Sequence, residues 1–587
     1  MKVLSPPYKM TISDQVRDLF VYDVPRKYQL EAIQLVLDNQ EDYDNFVISM
    51  PCGYGKSGVA VSLIQHFKNS YIVTHRKKLQ DQYAQEFSIP TLYGRSNYDC
   101  NHPCVACPFE TMCGNESCMC DKAPCTVFDE PRMPENPMPH EFKCPYEDDC
   151  NYLRAKKAAM SAKHTILGSK LILIEANYHK LEEREICIFD EAHGLENDLC
   201  SMIDVTLRDD IISRIGSKLN LDSPIEGFKD IIEKGNVFIK NFGCIKGPTL
   251  IQDVSNLVRQ VVQLKNNYDE KNWLSKFEMR KHYSVYTFKP IWVKSFAKTI
   301  LPSIAKKRLF MSATINAEHL CSTLALDYTR TLWINVDDSP FPIQNRPIFC
   351  TVSGNLTHAT MKEELPKVVA EIQRICDENQ PDRILILPHT HTISEAIMQG
   401  LRVPRSLVPT DYHMEMSEWI DDQFGDSYVI KNYACDRIEQ LCRTRAIRGS
   451  TYYRELQIDI KAYEIVPGSI ICTPYLKEGY DGAGDKCRIL IIPKVPYPSL
   501  DDDVIKKRLE ENRRWYTTET AQSLIQSLGR AVRSESDHAK MFVLDAQMEK
   551  FYRQNKSLFP KYIRDAILWK KKPKMDPTGC AKLPLEE

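Results

Sequence analysis

The segment MPCGYGKS, which ends at Ser57, has the residue types of a loop that binds phosphate. Gly53 and Gly55 would let backbone N–H groups approach phosphate oxygens, because glycine carries no Cβ. Lys56 would reach the β and γ phosphates of a nucleoside triphosphate, and the Ser57 hydroxyl would ligate Mg²⁺. Methionine stands where the eight-residue pattern begins with glycine. The segment predicts a site for ATP and Mg²⁺, and the alternative is an ordinary strand, turn and helix without a ligand.

Two acids close another apolar run, CIFDEAH, which starts at Cys187. Asp190 would hold Mg²⁺, and Glu191 would polarise the water that attacks the γ phosphate. An acidic strand end on its own is usually a solvated turn. Because Lys56 and its loop lie upstream, the two motifs together predict ATP hydrolysis.

Hydroxyl and basic side chains follow further along the chain. The run LFMSAT places Ser312 and Thr314 at the end of a predicted strand, where they could link the state of the nucleotide to a second site. In QSLGRAVR, Arg530 and Arg533 are three positions apart. On a helix they would share one face and could meet a triphosphate together. The pattern therefore predicts a basic helix that either contacts phosphates or faces solvent.

Short apolar runs rich in β-branched residues precede most of these motifs, and each predicts a buried parallel strand. The eight runs are NFVISMP, SYIVTH, EICIFDEAH, RLFMSAT, RILILPHT, SIICTP, RILIIP and KMFVLD. Helical patterns lie between several of them, for example over residues 80–87 and 361–377. Four runs precede residue 320 and four follow residue 380. The sequence therefore predicts two tandem α/β domains, each with a doubly wound parallel sheet.

Composition limits the classes of protein. With 587 residues the chain should form several domains. Its net charge of −2 gives no general attraction to nucleic acid, so any phosphate-binding surface must be local. No apolar run reaches the roughly 18 residues of a membrane span, and the N-terminus lacks the apolar core of a signal peptide. We therefore expect a soluble intracellular protein, cytoplasmic or, in a eukaryote, nuclear, with no role for a membrane.

Taken in order, these motifs resemble those of superfamily 2 helicase motors. GRSNYDC, which ends at Cys100, and CPYEDDC, which ends at Cys150, resemble the iron–sulfur helicases of the XPD and DinG family, as do EGYDG and PYP, which begin at positions 478 and 496. The resemblance implies two RecA-like motor domains and ATP-driven movement, 5′ to 3′, of a monomer along single-stranded or forked DNA. Ser169 and Lys170 stand where this family usually has Asn and His, so the contacts of that pair are not carried over.

The resemblance also assigns roles in the nucleotide site. Gln29, in RKYQ, would contact the adenine, and Asp481 would couple nucleotide to DNA. Gln526 would bind the nucleotide, and Arg530 and Arg533 would act as arginine fingers from the second motor domain. The segment THRKKLQ would lie at the nucleic-acid groove, although its three consecutive cations are also typical of a solvated helix start.

Nine of the 21 cysteines lie between residues 100 and 150, in a segment rich in proline and polar residues. In a reducing compartment such a group is more typical of a metal site than of disulfides, and four thiolates can hold a [4Fe–4S] cluster or zinc. The resemblance implies Cys100, Cys144 and Cys150 as cluster ligands, with Cys125 favoured as the fourth. That position has five other candidates, of which the first three could instead belong to a second metal site: Cys104, Cys107, Cys113, Cys118 and Cys120.

The predicted domains follow from these placements. The two RecA-like motor domains are expected in tandem, with the first interrupted by a cysteine-rich iron–sulfur domain and by a mainly helical, arch-like insertion. The predicted bounds are 1–95, 166–195 and 291–335 for the first motor domain, 96–165 for the iron–sulfur domain, 196–290 for the insertion and 336–587 for the second motor domain.

Two other functions remain open from the sequence. One is an RNA or nucleoprotein remodelling ATPase built on the same motor. The other is a zinc-stabilised scaffold that binds nucleic acid and uses ATP only as a switch. The intact set of Lys56, Asp190, Glu191 and Arg530 favours the helicase over the scaffold, because a scaffold need not keep all four. Protein partners cannot be read from the sequence.

Overall fold

A computed structural model describes residues 1–6, 10–99, 148–177, 181–242, 248–357, 359–402, 410–424, 428–477 and 480–569. The chain divides into two compact units. The first comprises Met1–Met50, Gly55–Val336 and Ser499–Arg513, and the second comprises Pro51–Tyr54, Asp337–Pro498 and the residues from Arg514 onward. Ser499–Arg513 thus groups with the first unit, whereas the sequence assigned it to the second motor domain. No helix in these ranges is long and apolar enough to cross a membrane.

The strands of the described residues are, in chain order, β1 (Lys2–Leu4), β2 (Asn45–Ser49), β3 (Ser70–Thr74), β4 (Thr91–Leu92), β5 (His164–Gly168), β6 (Arg184–Asp190), β7 (Val205–Arg208), β8 (Trp273–Met279), β9 (Ser284–Pro290), β10 (Ala305–Ser312), β11 (Thr331–Asn335), β12 (Ile348–Gly354), β13 (Ile384–Ile386), β14 (Ala446–Arg448), β15 (Ile470–Cys472), β16 (Ile489–Ile492), β17 (Lys540–Asp545) and β18 (Ile567–Trp569). Each of the eight predicted strands is present, as β2, β3, β6, β10, β13, β15, β16 and β17.

The α-helices are α1 (Asp14–Leu19), α2 (Gln29–Asp38), α3 (Lys56–His66), α4 (Lys77–Phe87), α5 (Asn151–Ser161), α6 (Ser169–Asn177), α7 (Leu195–Ile203), α8 (Asp209–Arg214), α9 (Pro224–Phe242), α10 (Pro248–Asn267), α11 (Lys294–Ile304), α12 (Ala317–Leu324), α13 (Met361–Glu378), α14 (His391–Gly400), α15 (Thr410–Phe424), α16 (Tyr428–Thr444), α17 (Tyr453–Ile465), α18 (Asp503–Glu511), α19 (Arg513–Leu528), α20 (Gln547–Gln554) and α21 (Lys561–Ala566).

The first unit contains an eight-stranded sheet in the order β1-β11-β2-β10-β6-β3-β5-β4, in which every neighbouring pair is parallel. Most side chains of the central strands β2, β10 and β6 are buried, as expected for strands covered on both faces. The register sets Ser312 of β10 beside Ser49 of β2, and Met311 beside Asp190 of β6. The carboxyl ends of these three strands therefore meet at one edge of the sheet.

Aromatic and aliphatic packing holds this edge in place. Phe189 lies one residue before the end of β6, and Phe310 lies two residues before the end of β10. Their rings stack with centroids 5.2 Å apart. Helix α3 has buried residues at every position from Gly58 to Ile64 and packs against α2 and β6. Because so much apolar surface is removed from water around the strand ends, the side chains that follow them have a rigid base.

The insertion between β6 and β10 is mainly helical, as predicted, but it also contains a small sheet. Strands β7, β9 and β8 pair antiparallel in that order, with Phe277 opposite Tyr286 and Met279 opposite Ser284. These strands were not predicted, because WLSKFEM and SVYTFKP mix polar and charged residues with apolar ones instead of forming a continuous apolar run.

The second unit has a seven-stranded parallel sheet in the order β14-β15-β13-β16-β17-β12-β18. The predicted strands occupy its centre, and three unpredicted strands lie toward its edges. Helix α17 is tied to α16 by the fully buried Asp459, whose carboxylate is 2.5 Å from Arg437 Nε and accepts a hydrogen bond from the Tyr433 hydroxyl at 3.0 Å. The structure thus bears out two α/β sheets in tandem.

Candidate nucleotide-binding site

The phosphate loop has the backbone that its glycines predict. It follows β2 and ends where α3 begins at Lys56. Gly53 and Gly55 have φ values of 92° and 74°, a left-handed region that a side chain would strain. Lys56 Nζ is 3.4 Å from the Met50 carbonyl oxygen, so the ammonium group folds back over the loop. A helix N-terminus behind a loop of this kind is a binding site for phosphate.

Gln29 supports the loop directly. Its side chain is buried, and the amide nitrogen donates to the Gly55 carbonyl at 2.9 Å. The amide oxygen accepts from the Arg26 backbone N–H at 2.7 Å. A Cβ on Gly55 would lie only 2.6 Å from the Gln29 amide nitrogen, so glycine is required at this contact. Contact of Gln29 with an adenine stays a prediction.

The two acids lie at the carboxyl end of β6. Asp190 is buried and ends the strand, while Glu191 has a left-handed φ of 56° that turns the chain sharply. Both oxygens of Asp190 are held, because Oδ1 accepts from the Glu191 backbone N–H at 2.9 Å and Oδ2 accepts from the Tyr83 hydroxyl at 2.7 Å. Tyr83 is fully buried on α4 and was not singled out from the sequence. No local pattern could have revealed it, since 107 positions separate it from Asp190.

The electrostatics differ between the two acids. Burial, together with the charge of Glu191, raises the pKa of Asp190 to about 6, although Lys56 opposes the shift. Burial acts on Glu191 in the same direction, but Lys56 and His193 outweigh it and hold the pKa of Glu191 well below its usual range. Glu191 is therefore ionised near neutral pH, while a bound cation would lower the free energy of charging Asp190.

A hydrogen-bond network joins Glu191 to Ser312 and to two histidines. His193 Nδ1 lies 2.9 Å from the Ser312 hydroxyl and 3.2 Å from Glu191 Oε2, and the same hydroxyl donates to Glu191 Oε2 at 3.2 Å. The His193 ring contacts the ring of His75 at 5.7 Å, edge to face, and Arg76 Nε donates to His75 Nε2 at 3.1 Å. Burial lowers the pKa of His75, and the neighbouring His193 and Arg76 lower it further. The network thus connects the acids to two sequence-predicted segments, SAT and THRKK.

The second unit brings three predicted residues together. Arg530 is buried and donates from Nη1 to the Tyr480 carbonyl at 3.2 Å, and Arg533 donates from Nη2 to the same carbonyl at 3.3 Å. Arg533 Nε is also 3.4 Å from the Asp481 carboxylate. The prediction of a shared helix face is wrong, because α19 ends at Leu528, Arg530 lies in the turn that follows and Arg533 lies in irregular chain beyond that turn.

Gln526 and the phosphate-site serine complete the predicted nucleotide residues. Gln526 is buried near the end of α19, and its backbone carbonyl accepts from Arg530 Nε at 3.2 Å. Ser57 is the second residue of α3, half-buried beside Lys56. Its hydroxyl and the Asp190 carboxylate are oxygen donors of the kind that Mg²⁺ prefers, so these two residues fit that cation.

Three of the four predicted cluster ligands, Cys100, Cys125 and Cys144, lie outside the described residues, as do Glu478 and Gly479 of the EGYDG motif and all five alternative cysteines. Cys150 is described, half-buried and unbridged, and it directly precedes helix α5. Asn151 Nδ2 donates to the Asp99 carbonyl at 3.1 Å, and the Tyr98 and Tyr152 rings meet at 5.7 Å. The two described ends of the cysteine-rich segment are therefore adjacent.

Two protein families match the chain. The family described as "Type III restriction enzyme, res subunit" matches residues 23–215, which include the phosphate loop and the acidic pair. The family described as "Helicase C-terminal domain" matches residues 427–566, which include Asp481 and the two arginines.

The named relatives have low sequence identity to this chain, and two of them align over most of its length. The ATP-dependent DNA helicase YoaA of Escherichia coli K12 is 20% identical over 472 residues, which cover 69% of this chain and 68% of the relative. The YoaA of Haemophilus influenzae is 22% identical, and the alignment covers 89% of this chain and 91% of the relative. A regulator of telomere elongation helicase 1 homolog from Caenorhabditis briggsae is 25% identical over 127 residues, 19% of this chain and 12% of the relative.

Solved structures agree on the fold. A structure titled "XPD_Helicase" superposes with a TM-score of 0.58 at 12% identity, covering 93% of this chain and all of that one. The Xpd4 structure from S. tokodaii superposes with a TM-score of 0.51 at 12% identity, covering 93% of this chain. The motifs on the two parallel sheets, the helicase relatives and the shared fold together support a superfamily 2 helicase of the XPD and DinG type.

Proposed function

We propose that this protein is an ATP-dependent DNA helicase that moves 5′ to 3′ along single-stranded or forked DNA. The observation that carries the proposal is the convergence, at the carboxyl ends of β2 and β6, of the left-handed Gly55, Lys56, the buried Asp190 and the half-buried Glu191. A scaffold that only binds nucleic acid does not require an ionised, half-buried glutamate and a buried aspartate beside a phosphate loop, because removing such charges from water is costly.

Each residue of the first unit has a distinct task. Backbone N–H groups of the loop and the Lys56 ammonium would bind the phosphates, while Ser57 and Asp190 would hold Mg²⁺. Bound Mg²⁺ supplies positive charge at the β and γ phosphates. Glu191 would accept a hydrogen bond from the attacking water and orient it in line with the γ phosphate. Its lowered pKa keeps it in the basic form that this task requires.

The residues of the second unit would complete hydrolysis. Arg530 and Arg533 are the proposed arginine fingers, and Asp481 would couple their position to the bound strand. The shared carbonyl of Tyr480 supports this assignment, because it holds both guanidinium groups beside Asp481. Gln526 would contribute to nucleotide binding from the same region, and Gln29 would contact the adenine. The chain is expected to act as an intracellular monomer.

The cysteine-rich segment is the proposed site of a [4Fe–4S] cluster held by Cys100, Cys125, Cys144 and Cys150. Support comes from the Asn151–Asp99 hydrogen bond, since Asp99 directly precedes Cys100 and Asn151 directly follows Cys150. A segment so rich in proline and polar residues has little apolar material of its own, and a metal centre would stabilise it. Zinc is the alternative metal.

Strand-specific unwinding tests the helicase assignment. DNA duplexes with a 5′ or a 3′ single-stranded tail, and the matching RNA duplexes, are incubated with protein and ATP. We expect unwinding of the 5′-tailed DNA and ATP turnover stimulated by DNA strands. Glu191→Gln should bind DNA and ATP but not hydrolyse ATP. Stimulation by RNA alone would support the remodelling ATPase instead, and turnover by the variant at the wild-type rate would refute the role of Glu191.

Metal analysis tests the cluster separately. Protein purified without oxygen should be brown, with about four irons per chain. Single Cys→Ser changes at positions 100, 125, 144 and 150 should lose the colour and the unwinding, while some ATP hydrolysis survives. Colourless protein with stoichiometric zinc would replace the cluster by zinc, and a brown Cys125→Ser variant would move that ligand to one of the five alternative cysteines.

A further inference from the structure

The hairpin of β8 and β9 ends in a tight, exposed turn. The Arg280 backbone N–H donates to the Tyr283 carbonyl at 2.9 Å, directly after the last strand pair, Met279 opposite Ser284. Arg280, Lys281 and His282 are three consecutive exposed basic residues. We call residues 277–283 the hairpin tip.

Large apolar side chains are exposed at the same end of the hairpin. Met279 is 85% exposed, Phe277 45% and Tyr283 36%. The rings of Phe277 and Tyr286 are 4.8 Å apart across the two strands, and the Arg208 guanidinium lies 4.9 Å from the Tyr283 ring. Single exposed apolar residues are ordinary, but basic and aromatic groups combined at one tip match the chemistry of surfaces that bind single strands.

The base of the hairpin is fixed, so the tip is presented on a rigid support. Val285 and Phe288 are fully buried and Trp273 nearly so. Asn272, just before β8, is joined to Trp292, just after β9. Its side-chain amide donates to the Trp292 carbonyl at 2.8 Å and accepts from the Trp292 backbone N–H at 3.0 Å. Exposed apolar groups on a rigid element lose little conformational entropy on binding, which favours a ligand there.

We propose that the hairpin tip contacts a nucleic-acid strand outside the motor motifs. Arg280 and Lys281 would neutralise phosphates, and Phe277 and Tyr283 would offer stacking surfaces to bases. The acid nearest in sequence, Glu278, lies 3.3 Å from Lys276, so that lysine offsets its charge. A chain of net charge −2 needs such local basic surfaces to hold a polyanion. The proposal rests on the proposed helicase function.

Charge reversal tests the tip. The double variant Arg280→Glu/Lys281→Glu is compared with Lys229→Glu/Lys240→Glu, which reverses two exposed lysines on α9. Binding of a fluorescent DNA strand is measured at several salt concentrations. Two lost phosphate contacts should lower the slope of log affinity against log salt by about 1.4, from roughly 0.7 per contact on single strands. The α9 variant should keep the wild-type slope, and ATP hydrolysis without DNA should be unchanged in both.

The outcomes separate the tip from the motor. If the tip variant has the same salt slope and the same DNA affinity as the α9 variant, the proposal is overturned. Wild-type protein that neither binds DNA nor hydrolyses ATP would overturn the helicase function itself. As a second measurement, Phe277→Ala/Tyr283→Ala should weaken strand binding without changing the salt slope, because stacking releases no counterions.

A second inference concerns Tyr83, which no motif includes. Its hydroxyl donates to Asp190 Oδ2 at 2.7 Å. Tyr83 is completely buried on α4. The hydroxyl thus fixes one of the two residues that fit Mg²⁺ from a different element, because Asp190 ends β6.

We infer that Tyr83 is a positioning residue for Mg²⁺. Asp190 Oδ1 is held by the Glu191 backbone N–H and Oδ2 by Tyr83, so the carboxylate plane is set from both sides before the cation arrives. Groups that orient a metal ligand in this way typically change metal affinity by about 10- to 100-fold when they are removed. The hydroxyl acts through Asp190 and does not itself need to touch the cation.

Tyr83→Phe removes one hydroxyl, and Tyr71→Phe is the matched control. Tyr71 is also fully buried in the first unit, but its hydroxyl donates to the Glu182 carbonyl at 3.0 Å, at the start of β6 instead of its end. Binding of a fluorescent ADP analogue is titrated with Mg²⁺, and Mn²⁺ binding is followed by electron paramagnetic resonance. For Tyr83→Phe we expect about a 10-fold higher half-saturating Mg²⁺ concentration and unchanged nucleotide affinity in EDTA.

Comparison with the Tyr71→Phe control and with the wild type decides between the outcomes. Equal metal dependence in Tyr83→Phe and wild type would refute the inference, and so would an equal shift in Tyr71→Phe, which would indicate general loss of stability. If added Mg²⁺ does not change nucleotide binding by the wild type, the proposed nucleotide site is refuted instead.

Discussion

Replacing Asp190 by Asn should stabilise the metal-free protein while it destroys catalysis. Asp190 is 4% exposed and lies beside a second acid, Glu191. Without a cation, folding must bury the Asp190 carboxylate beside the half-buried Glu191 carboxylate, and Lys56 and hydrogen bonds offset this cost only in part. Asparagine has nearly the same shape and no charge, so the substitution removes this cost but also removes the proposed Mg²⁺ ligand.

The magnitude follows from the pKa of Asp190. Folding raises it from an ordinary 3.8 to about 6. At roughly 1.36 kcal/mol per pKa unit, the ionised carboxylate costs about 3 kcal/mol in the folded state. Asparagine can accept only one of the two hydrogen bonds that Asp190 accepts, and losing the other costs about 1 kcal/mol. Asp190→Asn should therefore gain about 2 kcal/mol, or roughly 3 °C in melting temperature for a unit of this size.

The gain should depend on pH. Between pH 3.8 and about 6 the folded carboxyl group keeps a proton that the unfolded chain has lost, so the wild type loses stability as pH rises through this window. Above it the loss is complete and constant. Glu191, whose pKa is lowered, stays ionised across the window. The advantage of Asp190→Asn over wild type should thus be larger at pH 7.5 than at pH 5.

Thermal unfolding in EDTA at the two pH values measures the effect. The control is Asp44→Asn, because Arg330 lowers the pKa of Asp44 and its removal should destabilise at pH 7.5. Added Mg²⁺ and ADP should stabilise wild type but not Asp190→Asn. The reasoning is refuted if Asp190→Asn melts at or below the wild-type temperature at pH 7.5 in EDTA, or if its advantage grows as the pH falls to 5.

Three further changes test the motor. Lys56→Ala should abolish ATP turnover and leave DNA-strand binding measurable by anisotropy; wild-type turnover would contradict the motor assignment. Arg530→Ala should preserve ATP binding and cut the turnover rate by about 10³ or more, whereas a defect in affinity alone would remove Arg530 from the hydrolytic site. Ser312→Ala removes the hydroxyl that donates to Glu191 and should lower the stimulation of turnover by DNA, while Ser303→Ala, which breaks a hydrogen bond to the Ile300 carbonyl on α11, should not.

The sequence by itself determined the elements whose signals are local. A buried parallel strand is a continuous apolar run, so β2, β6 and β10 could be recognised without knowledge of their neighbours. The phosphate loop is equally local, because Gly53, Gly55 and Lys56 are almost adjacent and their task depends on backbone angles within a few residues. The candidate nucleotide site could therefore be proposed from its residues alone.

The local structure around Arg530 and Arg533 was predicted less well from the sequence. The spacing of Arg530 and Arg533 predicts a helix face, yet the helix ends before them and they meet through the Tyr480 carbonyl, about 50 positions upstream. The end of α19 and this contact depend on packing within the second unit. Spacing alone describes neither.

Only the tertiary structure decided which distant side chains meet. Tyr83 reaches Asp190 because β3 and β6 are neighbours in the sheet and α4 follows β3, a pairing that no residue pattern near Tyr83 encodes. The hairpin tip became visible only once β8 and β9 were paired, since its basic and apolar residues read as an ordinary polar stretch in sequence. Strand order and register are set by the free energy of packing whole elements against one another. This free energy comes from many contacts between segments that are far apart in the chain, so no local pattern reveals it.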